Sequence, residues 1–174
     1  NNSFIIERAA KIGEPLTPSH LKPVQSLQKH VIDKCNQMNL SLPVRLHDFR
    51  KIDDMFSLQN YEWHLSFLEV KQSEKVILEE FNDIISAKKF SIHLPDYISA
   101  NSLIDPFSQD ADIKENSLKI LDDVATLAKK LQDLTGSSVP IVGSFSVVNT
   151  SKENFYNDLT NLIEALNAKH AVKV

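Results

Sequence analysis

The sequence predicts an α/β protein whose strands run parallel. From Leu42 onward, short apolar runs alternate with amphipathic stretches, an order typical of βαβ units rather than of a sandwich or a helical bundle. Within the short runs apolar residues recur every second position, and within the longer stretches they recur at three- and four-residue spacing. These observations together favour strands connected by helices in a parallel sheet.

Four strands are predicted, at residues 43–47, 61–67, 90–94 and 139–147, and a fifth begins at 171–174. Each strand splits into an apolar and a polar face, because side chains alternate across a strand. In the second strand Tyr61 and Trp63 oppose Glu62 and His64. We expect the apolar faces to meet covering helices and the polar faces to converge on the interior of a barrel.

The helices between these strands are predicted at residues 74–87, 115–135 and 150–168, with a shorter one at 50–58. The clearest stripe lies on the second of them and consists of Leu118, Leu121, Ala125, Ala128 and Leu131. Gly136 offers a left-handed cap at the end of that helix. Thr150 and Glu153 form a capping box for the last helix.

The first residues differ in pattern from the rest of the chain. Residues 1–39 contain a strand-like run, a Gly-Glu-Pro turn, a Thr-Pro-Ser break and a helix at about 24–39. We expect this leader to be separate from residues 40–174, which carry the α/β pattern.

Composition excludes several classes of function. The chain of 174 residues has 19 basic and 23 acidic residues with no long basic run, so nucleic acid is not an expected partner. No apolar stretch is long enough to span a membrane, and no signal peptide is recognised at the start. The single cysteine, Cys35, fits a reducing cytoplasm. Neither GxGxxG nor GxxxxGK[ST] occurs, which leaves a nucleotide site without support.

Histidines close to the ends of three successive strands are the main site signal. His47, His64 and His93 fall where the active sites of barrels lie. Singly, each is more often a hydrogen-bonded packing residue, but the trio favours a site that binds metal, transfers protons or binds sugar hydroxyls. Glu62 is either a catalytic base or a structural residue, as a buried partner of Arg45 or a polar group at the floor of the barrel.

Further polar residues complete the candidate site. Arg45, Ser144 and Ser146 lie on the inward faces of the first and fourth strands and are candidate substrate-binding residues. His20, His30 and His170 are expected at the surface. The charged pairs 53–54, 88–89 and 129–130 are expected to be solvated.

Residues 90–132, FSIHLPDYISANSLIDPFSQDADIKENSLKILDDVATLAKKLQ, resemble the third βα unit of the xylose-isomerase-like superfamily of sugar isomerases, epimerases and endonuclease-IV-type enzymes. There a strand ends in His-x-Pro and is followed by a loop with tyrosine and asparagine and then by a helix. Residues 61–70, YEWHLSFLEV, resemble the preceding strand. The resemblance implies a (β/α) TIM-type barrel, of which residues 40–174 form about four βα units.

The same resemblance implies roles for individual residues. His93 becomes a metal or substrate ligand, His64 supports the site, and Tyr97 joins the substrate-binding residues. The implied cofactor is a divalent metal, either zinc, manganese or magnesium. Residues 143–146 read Gly-Ser-Phe-Ser, where the endonuclease branch has a histidine-proline pair, so an abasic-site nuclease is the least favoured activity.

The leader carries a second resemblance. Residues 5–23, IIERAAKIGEPLTPSHLKP, are similar to the closing part of the SAF module of sialic-acid-synthase-type enzymes. Together the two resemblances imply a slice of a fusion protein in nonulosonic-acid biosynthesis, with a sugar or sugar phosphate as ligand. One hypothesis is part of an isomerase or epimerase that is inactive as this fragment alone. The alternative is a noncatalytic domain for sugar binding or assembly, joined by a second copy or by the rest of a larger chain.

Overall fold

The computed structural model describes residues 18–145 and 151–172, and its centre is a four-stranded parallel sheet. The strands are β1 (Leu42–Val44), β2 (Asn60–His64) and β3 (Lys89–His93), then a hairpin of β4 (Tyr97–Ser99) and β5 (Ser102–Leu103), and finally β6 (Ile141–Val142). Within the sheet the order is β1-β2-β3-β6, and every neighbouring pair is parallel. The predicted α/β class with parallel strands is therefore confirmed.

Six α-helices are described: α1 (Pro18–Gln37), α2 (Phe49–Phe56), α3 (Phe67–Glu80), α4 (Asn82–Ile85), α5 (Ala111–Thr135) and α6 (Lys152–His170). A 3-10 turn, Leu46–Asp48, precedes α2. The predicted helix at 74–87 is wrong in its bounds, since the structure has two helices there and the first begins at Phe67. The cause is a capping box, in which Ser66 and Glu69 bond each other's backbone N–H groups.

The ends of the other long helices follow their capping residues. The Asp110 carboxylate accepts hydrogen bonds from Asp112 N and Ile113 N at the start of α5. Gly136 ends α5 with φ of 66°, which confirms the predicted left-handed cap. Helix α6 has Ser151 as its N-cap instead of the predicted Thr150, and the Ser151 hydroxyl accepts from Asn154 N.

The strands are shorter than predicted. Strand β1 stops at Val44, so His47 lies in the 3-10 turn rather than on the strand. Strand β2 stops at His64, because Ser66 is already the N-cap of α3. Where a fifth strand was predicted, Ala171 adopts a left-handed conformation at the end of α6, and residues 173–174 lie outside the described part of the chain.

The predicted division of the strands into two faces is confirmed. Tyr61, Trp63, Phe90 and Ile92 are buried, whereas the intervening Glu62, His64, Ser91 and His93 are only half-buried. Helix α5 covers the apolar face with residues that include Leu121, Val124, Ala125, Ala128 and Leu131. Leu118 is partly exposed and does not belong to that buried stripe. The sheet thus has a helix-covered apolar face and a polar face.

Phe49, the first residue of α2, lies at the centre of an aromatic cluster. Its ring is 5.1–5.6 Å from the rings of Tyr61, Trp63, Phe81 and Phe90, in edge-to-face arrangements. Helix α2 therefore joins the sheet to the α3–α4 region.

A buried polar network closes the amino end of the sheet. The Lys88 ammonium lies 2.6 Å from the Asp53 carboxylate and 2.9 Å from the Leu58 carbonyl oxygen. Tyr61 donates its hydroxyl to Asp53 at 2.6 Å and accepts from Leu58 N at 3.0 Å. Burial, followed by the hydrogen bond to Asp53, raises the pKa of Tyr61 well above its ordinary value. The expectation that Asp53 and Lys88 are solvated is wrong, because α2 and the start of β3 bring them together in the interior.

Helix α1 contacts the same end of the molecule. Gln28 donates to the Met55 carbonyl oxygen at 2.7 Å, and Asn36 accepts from Gln59 N at 3.0 Å. Ile32 and Cys35 pack against the core. The helix begins at Pro18, earlier than predicted, since proline is accepted at the first helical position. The predicted strand-like run and turn before it lie outside the described residues.

Among residues 18–145 and 151–172, no helix combines the length and the apolar character that crossing a bilayer requires.

Candidate functional site

Two histidines and a glutamate form a compact group at the carboxyl end of the sheet. His64 and His93 are register partners on β2 and β3, and their rings stack with centroids 4.5 Å apart and planes 18° apart. The Glu62 carboxylate lies 2.6 Å from His64 Nε2. Because residues 62 and 64 share one face of β2, the alternation of side chains places both on the polar side of the sheet.

The hydrogen bonds fix which ring nitrogen carries the proton in each neutral imidazole. His93 Nδ1 lies 2.9 Å from the Leu94 carbonyl oxygen, which can only accept, so Nδ1 bears the hydrogen. An ionised Glu62 likewise accepts from His64 Nε2. The unprotonated nitrogens are therefore Nε2 of His93 and Nδ1 of His64, and each can accept a proton.

His47 belongs to a neighbouring group rather than to the stacked pair. Its Nδ1 lies 3.1 Å from Glu69 Oε1, and its Nε2 lies 3.3 Å from Asp48 Oδ2. Arg45 Nη1 lies 3.8 Å from the other Glu69 oxygen and donates to the His64 carbonyl oxygen at 2.9 Å. Arg45 therefore links the two groups, while both nitrogens of His47 contact carboxylates.

Glu69 is the anionic centre of this second group. Its burial opposes ionisation, but hydrogen bonds from Ser66 and His47 and the charge of Arg45 outweigh burial and lower the pKa of Glu69. The same carboxylate accepts from Ser66 N at 2.8 Å in the capping box of α3. Glu69 thus fixes the start of α3 and faces His47 and Arg45 at once.

Two clefts are lined by residues of the β4–β5 hairpin, and the smaller of them is also lined by Arg45. The larger has a volume of about 570 Å³ and is lined by Asp96, Tyr97, Asn101, Ser102, Leu103, Ile104, Asp105, Ser108, Ile113 and Ser144. The smaller has a volume of about 210 Å³ and is lined by Arg45, Leu65, Ser66, Phe67, Pro95, Asp96, Tyr97, Ser99 and Ala100. Asp96 and Tyr97 line both clefts, which are therefore adjacent.

The structure brings most predicted binding residues to these clefts. Arg45 lines the smaller cleft, Ser144 the larger one, and Tyr97 lines both. Ser146 lies outside the described residues. Glu62, His64 and His93 lie on the polar face of the sheet and are not among the lining residues of either cleft.

Sequence reasoning missed three carboxylates at this end. Asp96 directly follows the strand-end motif His-Leu-Pro, and Asp105 lies after the hairpin. The sequence contains the capping pattern Ser66-x-x-Glu69, which would have predicted that Glu69 lies at the start of a helix directly after the second strand. Asp96 and Asp105 depend on the path of the hairpin, for which the sequence holds no comparable signal.

The stacked histidines do not fit a shared metal ion. An imidazole binds a metal in its ring plane at about 2.0–2.1 Å. Two nearly parallel, stacked planes offer no common point at that distance, and His64 Nε2 already faces Glu62. Within the described part of the chain, no group of three or more histidine, cysteine, aspartate or glutamate side chains is placed to hold a metal.

His30 and His170 are separate from the site. His30 is exposed on α1. His170, expected at the surface, is mostly buried and lies 2.6 Å from Asp122, which also binds Lys169 at 2.6 Å. The side chains of Lys169 and His170 lower the pKa of Asp122. These contacts tie the end of α6 to α5, so His170 has a structural role.

Comparisons of this chain with protein-family models, with curated proteins and with solved structures find no match. The functional interpretation therefore depends on the residues and geometry of the site.

Proposed function

We propose that this domain binds a sugar or sugar phosphate at the carboxyl end of its sheet and isomerises it by proton transfer at the carbon beside a carbonyl. The observation that carries the proposal is the stacked pair of His64 and His93, with Glu62 2.6 Å from His64. General acid–base catalysis needs groups that exchange protons near neutral pH, and histidine is the side chain best suited to this.

The sheet is proposed to be part of a (β/α) barrel. Its strands follow the chain order β1-β2-β3-β6, without the reversal that creates the crevice of a doubly wound sheet. One face is covered by helices and the other carries polar side chains. In barrels the site lies at the carboxyl ends of the strands, where both clefts of this chain open.

In the proposed reaction His64 Nδ1 or His93 Nε2 removes the proton. Glu62 holds the His64 ring and stabilises its protonated form, as a carboxylate does for a catalytic imidazole. Both imidazoles lie on the same face of the sheet, so carbon 1 receives a proton on the side of the sugar from which carbon 2 lost one. Oxygen 2 gives its hydroxyl proton to water and oxygen 1 takes one from water, which completes the shift of the carbonyl from carbon 1 to carbon 2. This arrangement favours isomerisation over epimerisation, which requires proton delivery to the opposite side.

Exchange with heavy water tests this proposal. The full chain is incubated with glucose or glucose 6-phosphate, and loss of the proton signal at carbon 2 is followed by NMR. Complete isomerisation is not required for this test, because removal of the proton uses only Glu62 and the two stacked histidines. We therefore expect exchange above the protein-free rate, slowed about 100-fold or more in Glu62→Gln and in His64→Asn. The matched control His30→Asn alters an exposed histidine on α1 and should leave the rate unchanged.

Two results would reject catalysis. One is exchange no faster than in the absence of protein. The other is equal exchange in wild type, Glu62→Gln and His64→Asn. His93→Ala adds a third check, because loss of one stacked ring should also reduce the rate.

A second candidate function is sugar binding without catalysis. It is favoured by the position of the clefts, which are lined by Arg45, Tyr97 and Ser144 but not by Glu62, His64 or His93. This version predicts sugar binding by calorimetry without proton exchange. This second function is compatible with a domain that assembles with a second copy or with the rest of a larger chain.

Two further parts of the proposal rest on sequence resemblance. A place in nonulosonic-acid biosynthesis is proposed from the resemblance of residues 5–23, of which only residues 18–23 belong to the described part of the chain. A divalent metal remains a prediction from the resemblance of residues 90–132, and no step above uses one.

A further inference from the structure

The two clefts at the carboxyl end of the sheet differ in charge. The larger is lined by two carboxylates, Asp96 and Asp105, and by no cationic side chain. The smaller is lined by Asp96 as well, but it also contains the guanidinium of Arg45, a cation that the larger cleft lacks. Because Asp96 and Tyr97 line both, a single ligand that passes these residues meets both environments.

Arg45 retains hydrogen-bond donors for a ligand. Its Nη1 donates to the His64 carbonyl oxygen at 2.9 Å and lies 3.8 Å from Glu69 Oε2. A guanidinium has several further N–H donors, and within residues 18–145 and 151–172 neither Nε nor Nη2 of Arg45 has a hydrogen-bond partner. The side chain is 49% exposed, so these donors are accessible to an anion in the smaller cleft.

The larger cleft suits hydroxyl groups and disfavours anions. Carboxylates only accept hydrogen bonds when ionised, and sugar hydroxyls donate them. Asp105 Oδ1 accepts from Phe107 N at 3.0 Å, which holds that carboxylate beside the cleft. The hydroxyls of Ser102, Ser108 and Ser144 add donors and acceptors. A phosphate or carboxylate placed there would face two like charges without a counter-charge.

We propose that the ligand is a sugar that carries an acidic group. Arg45 binds the acidic group in the smaller cleft, and the hydroxyl-bearing part lies in the larger cleft against Asp96 and Asp105. This inference rests on the sugar-binding part of the proposed function, because the proposed catalytic residues line neither cleft. It narrows the class of ligand, since neutral sugars lack the group that Arg45 recognises. Phosphate and carboxylate share the required chemistry, because both accept two hydrogen bonds from a guanidinium.

Calorimetry on the full chain tests the inference with four probes: glucose, glucose 6-phosphate, gluconate and inorganic phosphate. We expect an acidic sugar to bind at least about tenfold more tightly than glucose, as a charge-assisted contact to one guanidinium implies. The acidic sugar should also exceed inorganic phosphate, which cannot occupy the larger cleft. Comparison of glucose 6-phosphate with gluconate shows which acidic group is preferred.

Two variants test whether the preference for acidic sugars comes from the side chain of Arg45. Arg45→Met should remove the preference for acidic sugars while weak binding of glucose persists. The matched control is Arg50→Met, which removes the same charge from a residue that pairs with Asp83 elsewhere on the molecule. Arg50→Met should bind all four probes as wild type does. Circular dichroism of each variant verifies folding, and the ranking of probes by wild-type protein needs no variant.

Three results of the binding experiments would overturn the inference. The first is that glucose binds as tightly as the acidic sugars, and the second is that Arg45→Met keeps the preference for acidic sugars. The third is that inorganic phosphate binds as tightly as glucose 6-phosphate. If proton exchange occurs with neutral and acidic sugars alike, this inference fails and the proposed function stands. If no probe binds and no exchange occurs, both fail.

Discussion

Polar and charged side chains lie at both ends of the parallel sheet, but they are buried at the amino end and partly exposed at the carboxyl end. At the amino end, Asp53 and Lys88 have only 10% of their side chains exposed, and both bond inside the protein. At the carboxyl end, His64 and Arg45 have 38% and 49% of their side chains exposed. Polar groups that form all their hydrogen bonds within the protein stabilise the fold. Exposed side chains whose nitrogen atoms can form further hydrogen bonds are available to a ligand.

The largest expected effect lies at the amino end. Asp53→Asn removes the charge that compensates Lys88 in the interior, and breaking a buried pair in this way costs about 3 kcal/mol or more. Urea unfolding measures the loss. The control Asp54→Asn changes an exposed neighbour and should stay within about 0.5 kcal/mol of wild type. A loss below about 1 kcal/mol for Asp53→Asn would show that the amino-end network is not structural.

A smaller effect is expected from the cap of α3. Ser66→Ala removes the hydroxyl that accepts from Glu69 N and should lower the free energy of unfolding by about 1 kcal/mol. Ser151→Ala, at the corresponding position of α6, is a matched comparison and should cost a similar amount. If Ser66→Ala leaves stability unchanged, the capping box does not determine where α3 begins.

The stability of the protein at low pH depends on Glu69. A carboxyl group whose pKa is lowered by folding stabilises the protein above its unfolded pKa of about 4.3, and this contribution disappears as the pH falls through the folded pKa. Unfolding free energy should therefore drop more steeply below about pH 4.3 in wild type than in Glu69→Gln. Parallel curves for the two proteins down to low pH would contradict the assigned environment.

The smallest effect on stability is expected at the stacked histidines. His93→Asn changes a half-buried side chain, and we expect a change within about 0.5 kcal/mol in urea unfolding. Binding or exchange of sugars should nevertheless fall. A large loss of stability without loss of binding would give His93 the structural role that Asp53 has at the other end.

Much of the fold follows from periodicity in the sequence. The alternation in residues 61–64 and 90–93 predicted which side chains face the helices, and Gly136 predicted the end of α5. Asp53 and Lys88 could not be paired from sequence, because their contact joins α2 to the start of β3 across a long separation. Local charge alone predicts a solvated residue, and only tertiary packing determines that such a residue is buried.

Part of the site was also predictable from the alternation of side chains along the strands. Strand register brings His64 opposite His93, so alternation on two adjacent strands was sufficient to place them together. His47 was misplaced because a 3-10 turn replaces the last residues of the predicted strand. The clefts depend on the hairpin of β4 and β5, whose two short strands carry too few residues for a periodic signal.

Histidine NMR spectra of the isotope-labelled full chain, recorded while glucose 6-phosphate is added, test the central claim most directly. We expect the ring signals of His64 and His93 to shift as the sugar binds, and the signal of His47 to shift with them because Arg45 and Glu69 connect it to the pair. The signals of His30 and His170 should stay in place. Equal shifts at these five histidines, or shifts confined to His30 and His170, would contradict a sugar site at the carboxyl end of the sheet.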